Sequence, residues 1–180
     1  MIWVDYEGRE WQFAAPGPSF ALEVRRLADV PAAKMGTVLA DYLLHWMDLD
    51  DWVWFVRNRR TLPDDAVSEL FMRWLEEATG KPMSAVGALC NVVVRSWGMV
   101  RGRLVMAGIA DPLNDLPTLA ALLDTVDVMI REGHADEKAT AKYEREVYRP
   151  RAKTGTIEQP AGFEDDDMAA QAAMLAAFGD

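Results

Sequence analysis

The chain has 180 residues, of which 51% are hydrophobic, and a formal net charge of −10. This hydrophobic fraction suffices to build the core of one domain. The acidity argues against a protein that wraps nucleic acid, since phosphates must be met by clustered Lys and Arg. The acid is unevenly placed, because residues 163–180 contain five acids and no base (Glu164, Asp165, Asp166, Asp167 and Asp180).

The single cysteine, Cys90, excludes an intrachain disulfide and favours a reducing compartment. The opening residues MIWVDYEG contain acids where a signal peptide would need basic residues followed by an apolar run. The longest uncharged stretch, residues 82–94, is thirteen residues long. A helix that crosses a membrane needs about 20. We therefore expect a cytoplasmic protein that does not enter a membrane.

Residues 2–13 are predicted to form a β-hairpin that turns at Glu7 and Gly8. This turn would place three pairs on one face, Tyr6 with Arg9, Val4 with Trp11 and Ile2 with Phe13. The other face would pair Asp5 with Glu10 and Trp3 with Gln12. Two strands alone are marginal in water, so the hairpin should lean on helices or join a strand of another chain.

The sequence becomes helical after residues 15–19, which contain two prolines. Pro31 is expected to open a helix that continues to Trp46, and residues 48–51 supply a polar break with an N-cap for the next helix. Residues 64–79 carry apolar side chains at i, i+3, i+4, i+7, i+8 and i+11, with acids at the start and Gly80 beyond the end. This pattern predicts another helix.

Residues 83–107 are apolar on most sides and predict a central helix. One seam of this segment has alternating spacings of four and three, as in a coiled coil (Val86, Cys90, Val93, Trp97, Val100 and Leu104). Gly98 and Gly102 are the positions at which this helix is expected to bend, if it bends.

Two more helices are predicted further along the chain. Pro117 should lie in the first turn of a helix that ends before Gly133, with one apolar stripe (Leu119, Leu122, Leu123, Val126 and Ile130). Residues 136–148 are mostly charged and predict a surface helix with one apolar side (Ala139, Tyr143 and Val147).

The end of the chain predicts a linker and an appendage. Residues 150–162 contain two prolines and two glycines without periodicity, which is typical of a linker. Residues 163–180 begin with acids and have apolar residues at helical spacing (Phe163, Met168, Ala172, Leu175 and Phe178). The expected fold is therefore mainly α. It comprises a compact multi-helix domain with a short N-terminal β-hairpin in residues 1–149, the linker, and a C-terminal amphipathic helical tail in residues 163–180.

The sequence lacks the patterns that carry catalysis or metal binding. His45 and His134 have no partner at metal-ligand spacing, and His45 is expected to be partly buried in a helix. The acids of residues 48–51 lack the Gly and Glu that complete a calcium loop. Cys90 has no nearby His and is interpreted as a small core residue. We expect no enzyme activity, no cofactor and no metal site.

The aromatic residues near the middle of the chain point to binding. If residues 49–58 are helical, one face contains Leu49, Trp52, Val53 and Val56 and should face the core, while Trp54 points to nearly the opposite side. An off-face Trp is typical of an interface anchor, although a flanking helix or the hairpin could equally cover it within the monomer. Trp52, Trp54 and Phe55 are candidate partner-binding residues. The neighbouring Arg57, Arg59 and Arg60 favour helix capping over phosphate binding.

The layout of the chain resembles the tail assembly chaperones of long-tailed, siphovirus-type phages of actinobacteria. The features that carry this resemblance are the short hairpin, the helical segment GRLVMAGIADPLNDLPTLAALLDTVDVMIREG (residues 102–133), the YRP of residues 148–150, and the acidic, Ala-rich end GFEDDDMAAQAAMLAAFGD (residues 162–180).

This resemblance implies a non-enzymatic protein that binds the tape measure protein, keeps it soluble, and helps to load tail tube subunits in the cytoplasm of the bacterial host. In that family a longer product is commonly made by ribosomal frameshifting, which would make this chain the shorter form. The competing interpretations are a structural head-tail or minor tail protein retained in the virion, and a helical regulator that binds nucleic acid.

Partner binding and self-association are the expected modes of action. The tape measure protein and the tail tube protein are the expected partners, and a homo-oligomer is expected because the hairpin and Trp54 leave surface to cover. In the tail, Phe163, Met168, Leu175 and Phe178 are predicted to dock as a detachable helix in a groove. The alternative is a solubilising tail whose acids repel neighbouring molecules.

Overall fold

The computed structural model of the protein describes residues 1–149. The predicted linker, residues 150–162, and the predicted tail, residues 163–180, lie outside the described residues. The described part is mainly α, as predicted, with a two-stranded antiparallel hairpin at its N-terminus.

The described residues form two strands and nine α-helices in chain order. They are β1 (Ile2–Tyr6), β2 (Arg9–Phe13), α1 (Phe20–Leu27), α2 (Ala32–Trp46), α3 (Leu49–Asn58), α4 (Ala66–Thr79), α5 (Met83–Arg95), α6 (Trp97–Met106), α7 (Pro112–Asp115), α8 (Leu119–Glu132) and α9 (Glu137–Val147). A 3-10 turn, Arg59–Thr61, follows α3.

The hairpin has the predicted register, in which Ile2 pairs with Phe13 and Tyr6 with Arg9. Glu7 and Gly8 both have positive φ, 54° and 70°, which is the backbone of a type I′ turn. That turn twists in the same sense as the strands, so it fixes the pairing and hence the two faces. The inward face holds four buried side chains, Val4, Tyr6, Trp11 and Phe13.

The hairpin leans on helices, one of the two arrangements that the sequence allowed. On the β1 side, Arg73 of α4 donates from Nη1 to the carbonyl of Asp5 at 2.8 Å. On the β2 side, the chain between α2 and α3 runs alongside the strand, because the Asp48 N–H donates to the Gln12 carbonyl at 2.8 Å. An isolated bridge between Phe13 and Met47 continues this contact. The short ribbon is therefore held from both edges.

An aromatic cluster around Trp74 joins the hairpin to the helical body. The Trp74 ring stacks on Phe13 with a centroid distance of 5.6 Å and meets Phe20 edge-on at 5.4 Å. Its indole N–H donates to the Ala14 carbonyl at 3.0 Å, so the one polar atom of this buried ring is satisfied. Trp46 and Phe71 complete the cluster. The core thus includes residues from the strands as well as from α1, α2 and α4.

The predicted central helix is confirmed as α5. Its first eleven residues, 83–93, are all buried, and it packs against α1, α4, α8 and α9. Cys90 is fully buried, as expected of a small core residue, and burial raises the pKa of its thiol.

Residues 83–107 were predicted to form one helix, bent if at all at Gly98 or Gly102. This prediction is wrong, because the segment forms two helices. It breaks at Ser96, which has a non-helical ψ of 26°, and α5 and α6 meet at 87°. The Ser96 N–H closes α5 on the Val92 carbonyl at 2.9 Å, while the Ser96 carbonyl accepts from Val100 at 3.0 Å. This corner lets Val100 and Leu104 of α6 pack back on the core, whereas a straight continuation would have carried them past it.

Helices α2, α3, α4, α8 and α9 begin close to the predicted residues, whereas α1 and α7 had not been predicted as separate helices. Gly80 ends α4 with a left-handed φ of 66°, as expected of a terminal glycine. Thr118 caps α8 by accepting from the Ala121 N–H at 3.2 Å, so Pro117 precedes the helix and does not lie in its first turn. In α9, Tyr143 and Val147 are buried on the predicted apolar side.

Candidate partner-binding surface

The first turn of α3 is fixed by its acidic residues. Asp48 is the N-cap, and its Oδ1 accepts from the Asp50 N–H at 2.9 Å. Asp51 is buried against the hairpin. Its Oδ1 lies 2.6 Å from Nη2 of Arg9, and its Oδ2 accepts from the Gln12 N–H at 2.7 Å. Both oxygens of one carboxylate therefore tie α3 to β2.

Aromatic contacts hold the second turn of α3 on the same strand. Phe55 is buried and meets Trp11 edge-on, with 6.0 Å between ring centroids. Trp54 meets Trp11 edge-on at 5.4 Å. The Arg9 guanidinium lies over Trp54, 4.6 Å from the ring centroid, which is a cation–π geometry. Asp51 and Phe55, four residues apart, thus define the buried face of α3.

The prediction that Leu49, Trp52, Val53 and Val56 face the core is wrong. Three of these residues point outward, with Leu49 69%, Val53 37% and Val56 55% exposed. We call Leu49, Val53 and Val56 the α3 stripe. The reason is that the carboxylate of Asp51 has fixed partners on β2, and a helix can turn only one face to the strand. The ion pair and the aromatic contacts decide the rotation of α3, and its aliphatic face is left outside.

The candidate residues of α3 lie around this stripe. Trp52 is half-buried at one edge of it and stacks on Phe55, with 5.7 Å between centroids. Trp54 is half-buried on the hairpin side, so the hairpin covers it within the monomer, one of the two readings left open. Phe55 is 3% exposed and supports the helix from within the core. The tail candidates Phe163, Met168, Leu175 and Phe178 lie outside the described residues.

Basic side chains stand at the carboxyl end of the stripe. Arg57 and Arg60 are exposed. Arg59 instead turns toward the following loop, where its guanidinium donates to the carbonyls of Pro63 at 3.1 Å and Asp64 at 3.0 Å. The acids Asp48 and Asp50 lie at the opposite end of α3. The surface is therefore an apolar strip with an acidic end and a basic end.

A second polar cluster, which the sequence reasoning missed, is centred on Asp127 of α8. Its carboxylate is buried and accepts hydrogen bonds from the hydroxyl of Tyr143 and, at 2.8 Å, from the hydroxyl of Tyr148. Arg131 donates from Nε to the same carboxylate at 3.1 Å and pairs with Glu144 of α9. The network joins α9 and the residues after it to α8.

Lys81, in the turn between α4 and α5, extends this cluster. Its Nζ lies 2.8 Å from Oδ1 of Asp124 and 4.0 Å from Oδ2 of Asp127. Next to it, the Ser84 hydroxyl donates to the carbonyl of Arg149 at 2.9 Å. The cluster therefore fixes the last described residues of the chain against the start of α5.

The tyrosines of the cluster are held in their neutral form. Burial raises the pKa of Tyr143, and the hydrogen bond that its hydroxyl donates to Asp127 raises it further. The pKa of Tyr148 is raised for the same two reasons, burial first. Because both hydroxyls act as donors to one carboxylate, the arrangement stabilises the packing of α9. The sequence contains one signal of this cluster. Asp127 follows Leu123 by four residues, so a charged residue falls within the apolar stripe of α8 and needs polar partners there.

The two histidines lie in different segments of the chain, His45 in α2 and His134 shortly after α8. His45 is exposed on α2, contrary to the expectation of partial burial, and its Nδ1 lies 2.7 Å from the Asp41 carbonyl. His134 meets Tyr143 edge-on at 5.2 Å. Among residues 1–149, no three His, Cys, Asp or Glu side chains are grouped so that they could hold a metal ion.

Comparison with known proteins adds one family. Residues 92–180 match DUF7240, a family of unknown function. The match begins in the last turn of α5 and includes α6 to α9, and with them Asp127 and both tyrosines of its cluster. It does not include α3. No curated protein and no solved structure matches the chain.

The lengths and compositions of the helices bear on membrane insertion. Within residues 1–149, no single helix is long and apolar enough to span a bilayer, although α5 and α6 together would pass by length and composition despite their 87° bend. In the fold, α5 is buried by the other helices.

Proposed function

We propose that this protein is a non-enzymatic phage tail assembly chaperone. In this role it binds the tape measure protein, keeps it soluble in the cytoplasm of the bacterial host, and assists assembly of the tail tube. The observation that supports the proposal is the α3 stripe, in which three aliphatic side chains of one helix stand 37% to 69% exposed. The resemblance in layout supplies the identity of the partner.

The shape of the stripe suits a helical partner. Leu49, Val53 and Val56 follow one another at i, i+4 and i+7, so they form a straight ridge about 10 Å long, given a rise of about 1.5 Å per residue. An amphipathic helix laid along such a ridge buries its own apolar face and needs no catalytic group. A tape measure protein, which is long, helical and apolar in places, offers many such faces.

The charges at the ends of the stripe would select among helices. Arg57 and Arg60 at one end attract acidic residues, and Asp48 and Asp50 at the other end attract basic ones. Rim charges of this kind act mainly on orientation and association rate, while the desolvated apolar centre provides most of the affinity. The proposed partner is therefore an amphipathic helix with polar flanks.

Co-expression with fragments of the tape measure protein tests the proposal. The chain should keep at least one otherwise insoluble fragment in the supernatant and should co-purify with it. Replacing the stripe with serines (Leu49→Ser, Val53→Ser and Val56→Ser) should reduce capture at least tenfold. The matched control replaces two exposed apolar residues of α6, Val105→Ser and Met106→Ser, and should leave capture unchanged. Equal capture by all three proteins, or no capture at all, would contradict the proposal.

The chaperone role and the competing role as a structural virion protein predict different amounts of this chain in purified virions. A chaperone leaves the finished tail, so mass spectrometry of purified virions should find this chain far below one copy per tail. A stoichiometric amount would favour the head-tail or minor tail role.

Self-association is part of the proposal. Trp3, 56% exposed on the outer face of the hairpin, is the kind of large aromatic that an oligomer contact covers. Sedimentation should therefore reveal a homo-oligomer, and a strict monomer across a wide concentration range would count against that part. Binding of nucleic acid at physiological salt is not expected.

A further inference from the structure

The α3 stripe has a candidate occupant within the same chain. We propose that residues 163–180, the acidic tail, dock on the α3 stripe of their own molecule as a helix antiparallel to α3. The regulatory meaning of this contact rests on the proposed function, because a tail seated on the stripe would occupy the surface until a partner helix displaces it. The contact itself can be measured on the chain alone.

The two surfaces match in apolar pattern. The tail has five apolar residues at helical spacing (Phe163, Met168, Ala172, Leu175 and Phe178). A segment of this length is marginal as a helix by itself, because nucleation is costly and its stability must come from packing. The stripe offers three exposed aliphatic side chains along one helix of ten residues. Docking would therefore stabilise the tail helix by packing and would bury the exposed side chains of the α3 stripe.

The charges of the tail and of α3 are complementary, and they favour the antiparallel orientation of the tail helix. All four acids of residues 164–167 lie at the amino end of the tail. At the carboxyl end of α3 stand Arg57 and Arg60, while Asp48 and Asp50 stand at its amino end. An antiparallel arrangement brings the acids of the tail to the arginines. A parallel one would bring them against two further acids, which is unfavourable.

The linker is long enough for the contact. The chain is fixed at Arg149, whose carbonyl accepts from the Ser84 hydroxyl at 2.9 Å. The thirteen residues 150–162 can extend over about 45 Å. A body of 149 residues has a radius of gyration of about 15 Å. The linker can therefore bring the tail to most of the surface of its own molecule.

The test places a spin label on the tail of the full-length protein. Ala173→Cys provides a thiol on the side of the predicted tail helix away from its apolar residues, and the native Cys90 is fully buried and does not compete for the label. Amide signals of α3 should broaden by paramagnetic relaxation. Serine replacement of the stripe should abolish this broadening, as should the charge reversal Arg57→Glu with Arg60→Glu. Adding Asp165→Lys with Asp166→Lys to the reversed protein should restore it.

Matched variants control for general effects of polarity and charge. Val105→Ser with Met106→Ser removes exposed apolar surface elsewhere, and Arg101→Glu with Arg145→Glu changes the net charge equally. Both should leave the broadening of α3 intact. A mixture of labelled protein with isotope-enriched, unlabelled protein reports contacts between molecules, and α3 should stay sharp in it.

Four outcomes would overturn the proposal. They are the absence of broadening on α3, broadening that survives both the serine and the charge-reversal variants, failure of the lysine substitutions to restore it, and broadening seen only between molecules. Because no partner is present, a docked tail in a chain that captures no tape measure fragment would contradict the proposed function alone. Capture without docking would contradict only this inference.

Discussion

Asp51 of α3 and Arg9 of β2 form an ion pair, with 2.6 Å between Oδ1 and Nη2, on the side of the helix opposite its aliphatic residues. The second oxygen of Asp51 accepts from the Gln12 N–H, so the carboxylate has both a charged and a neutral partner on the same strand. This relationship sets the rotation of α3. It therefore decides which side chains a partner meets.

Removal of the Asp51 carboxylate should destabilise the fold. Asp51→Ala leaves the Gln12 N–H and the Arg9 guanidinium without their acceptor, and hydrogen bonds to charged groups are worth about 1.5–3 kcal/mol. Because Arg9 keeps some contact with water, we expect a loss near the lower end of that range in the free energy of unfolding. Chemical denaturation measures it, with Asp50→Ala on the exposed side as the control. Equal losses in the two variants would show that the pair does not hold α3.

Because the α3 stripe points outward, substitution of its residues should have little effect on the stability of the protein. Combined replacement of Leu49, Val53 and Val56 with serine should change the free energy of unfolding by about 1 kcal/mol or less, because exposed sites away from special features contribute little. Phe55→Ala should cost about 3–5 kcal/mol, since Phe55 is 3% exposed. The same denaturation experiment compares them. A triple variant as unstable as Phe55→Ala would place the stripe in the core.

Asp127 and Tyr143 should be energetically coupled. In a double-mutant cycle of Asp127→Asn and Tyr143→Phe, we expect a coupling of about 1–3 kcal/mol, because the buried carboxylate accepts directly from the tyrosine hydroxyl. Pairing Tyr143→Phe with Asp41→Asn gives the control. Asp41 lies on α2 and is exposed, so that cycle should be additive within about 0.5 kcal/mol. Additivity in both cycles would remove the role assigned to the Asp127 cluster.

Alkaline pH should destabilise the protein. The pKa of Tyr6 and that of Tyr42 are both raised to about 12, from an ordinary value of 10.0, mainly by burial and, for Tyr42, also by the hydrogen bond that its hydroxyl donates to Glu23. Well below pH 10 these tyrosines are neutral in both states, so their contribution to stability is fully present. As the pH rises toward 12 the unfolded chain ionises first, and the free energy of unfolding should fall by about 1–3 kcal/mol per tyrosine.

Denaturation midpoints at several pH values, together with the tyrosinate absorbance of the folded protein, measure this decline. Tyr42→Phe should make it shallower. A folded protein whose tyrosines all ionise near pH 10, with unchanged stability above that pH, would contradict the prediction.

Local patterns in the sequence were enough for the hairpin and for most helix boundaries. The Glu7–Gly8 turn fixes the register over five pairs because its twist matches that of the strands. Asp48 and Gly80 mark helix ends through hydrogen bonds to residues within one turn. Each of these features depends on atoms only a few residues apart, so periodicity and terminal residues suffice to predict them.

The sequence by itself therefore determined a mainly α chain with an N-terminal hairpin, and it identified the aliphatic stripe of α3 as one continuous face. Only the tertiary structure decided that this face points outward. It also placed the turn between α5 and α6 at Ser96 and gathered Lys81, Tyr143 and Tyr148 around Asp127. The physical reason is that a buried carboxylate is costly unless it is paired and hydrogen-bonded, and its partners can lie far away in the sequence. Asp51 finds Arg9 forty-two residues away, and that pairing outweighs the local tendency of the more apolar side of a helix to face the core.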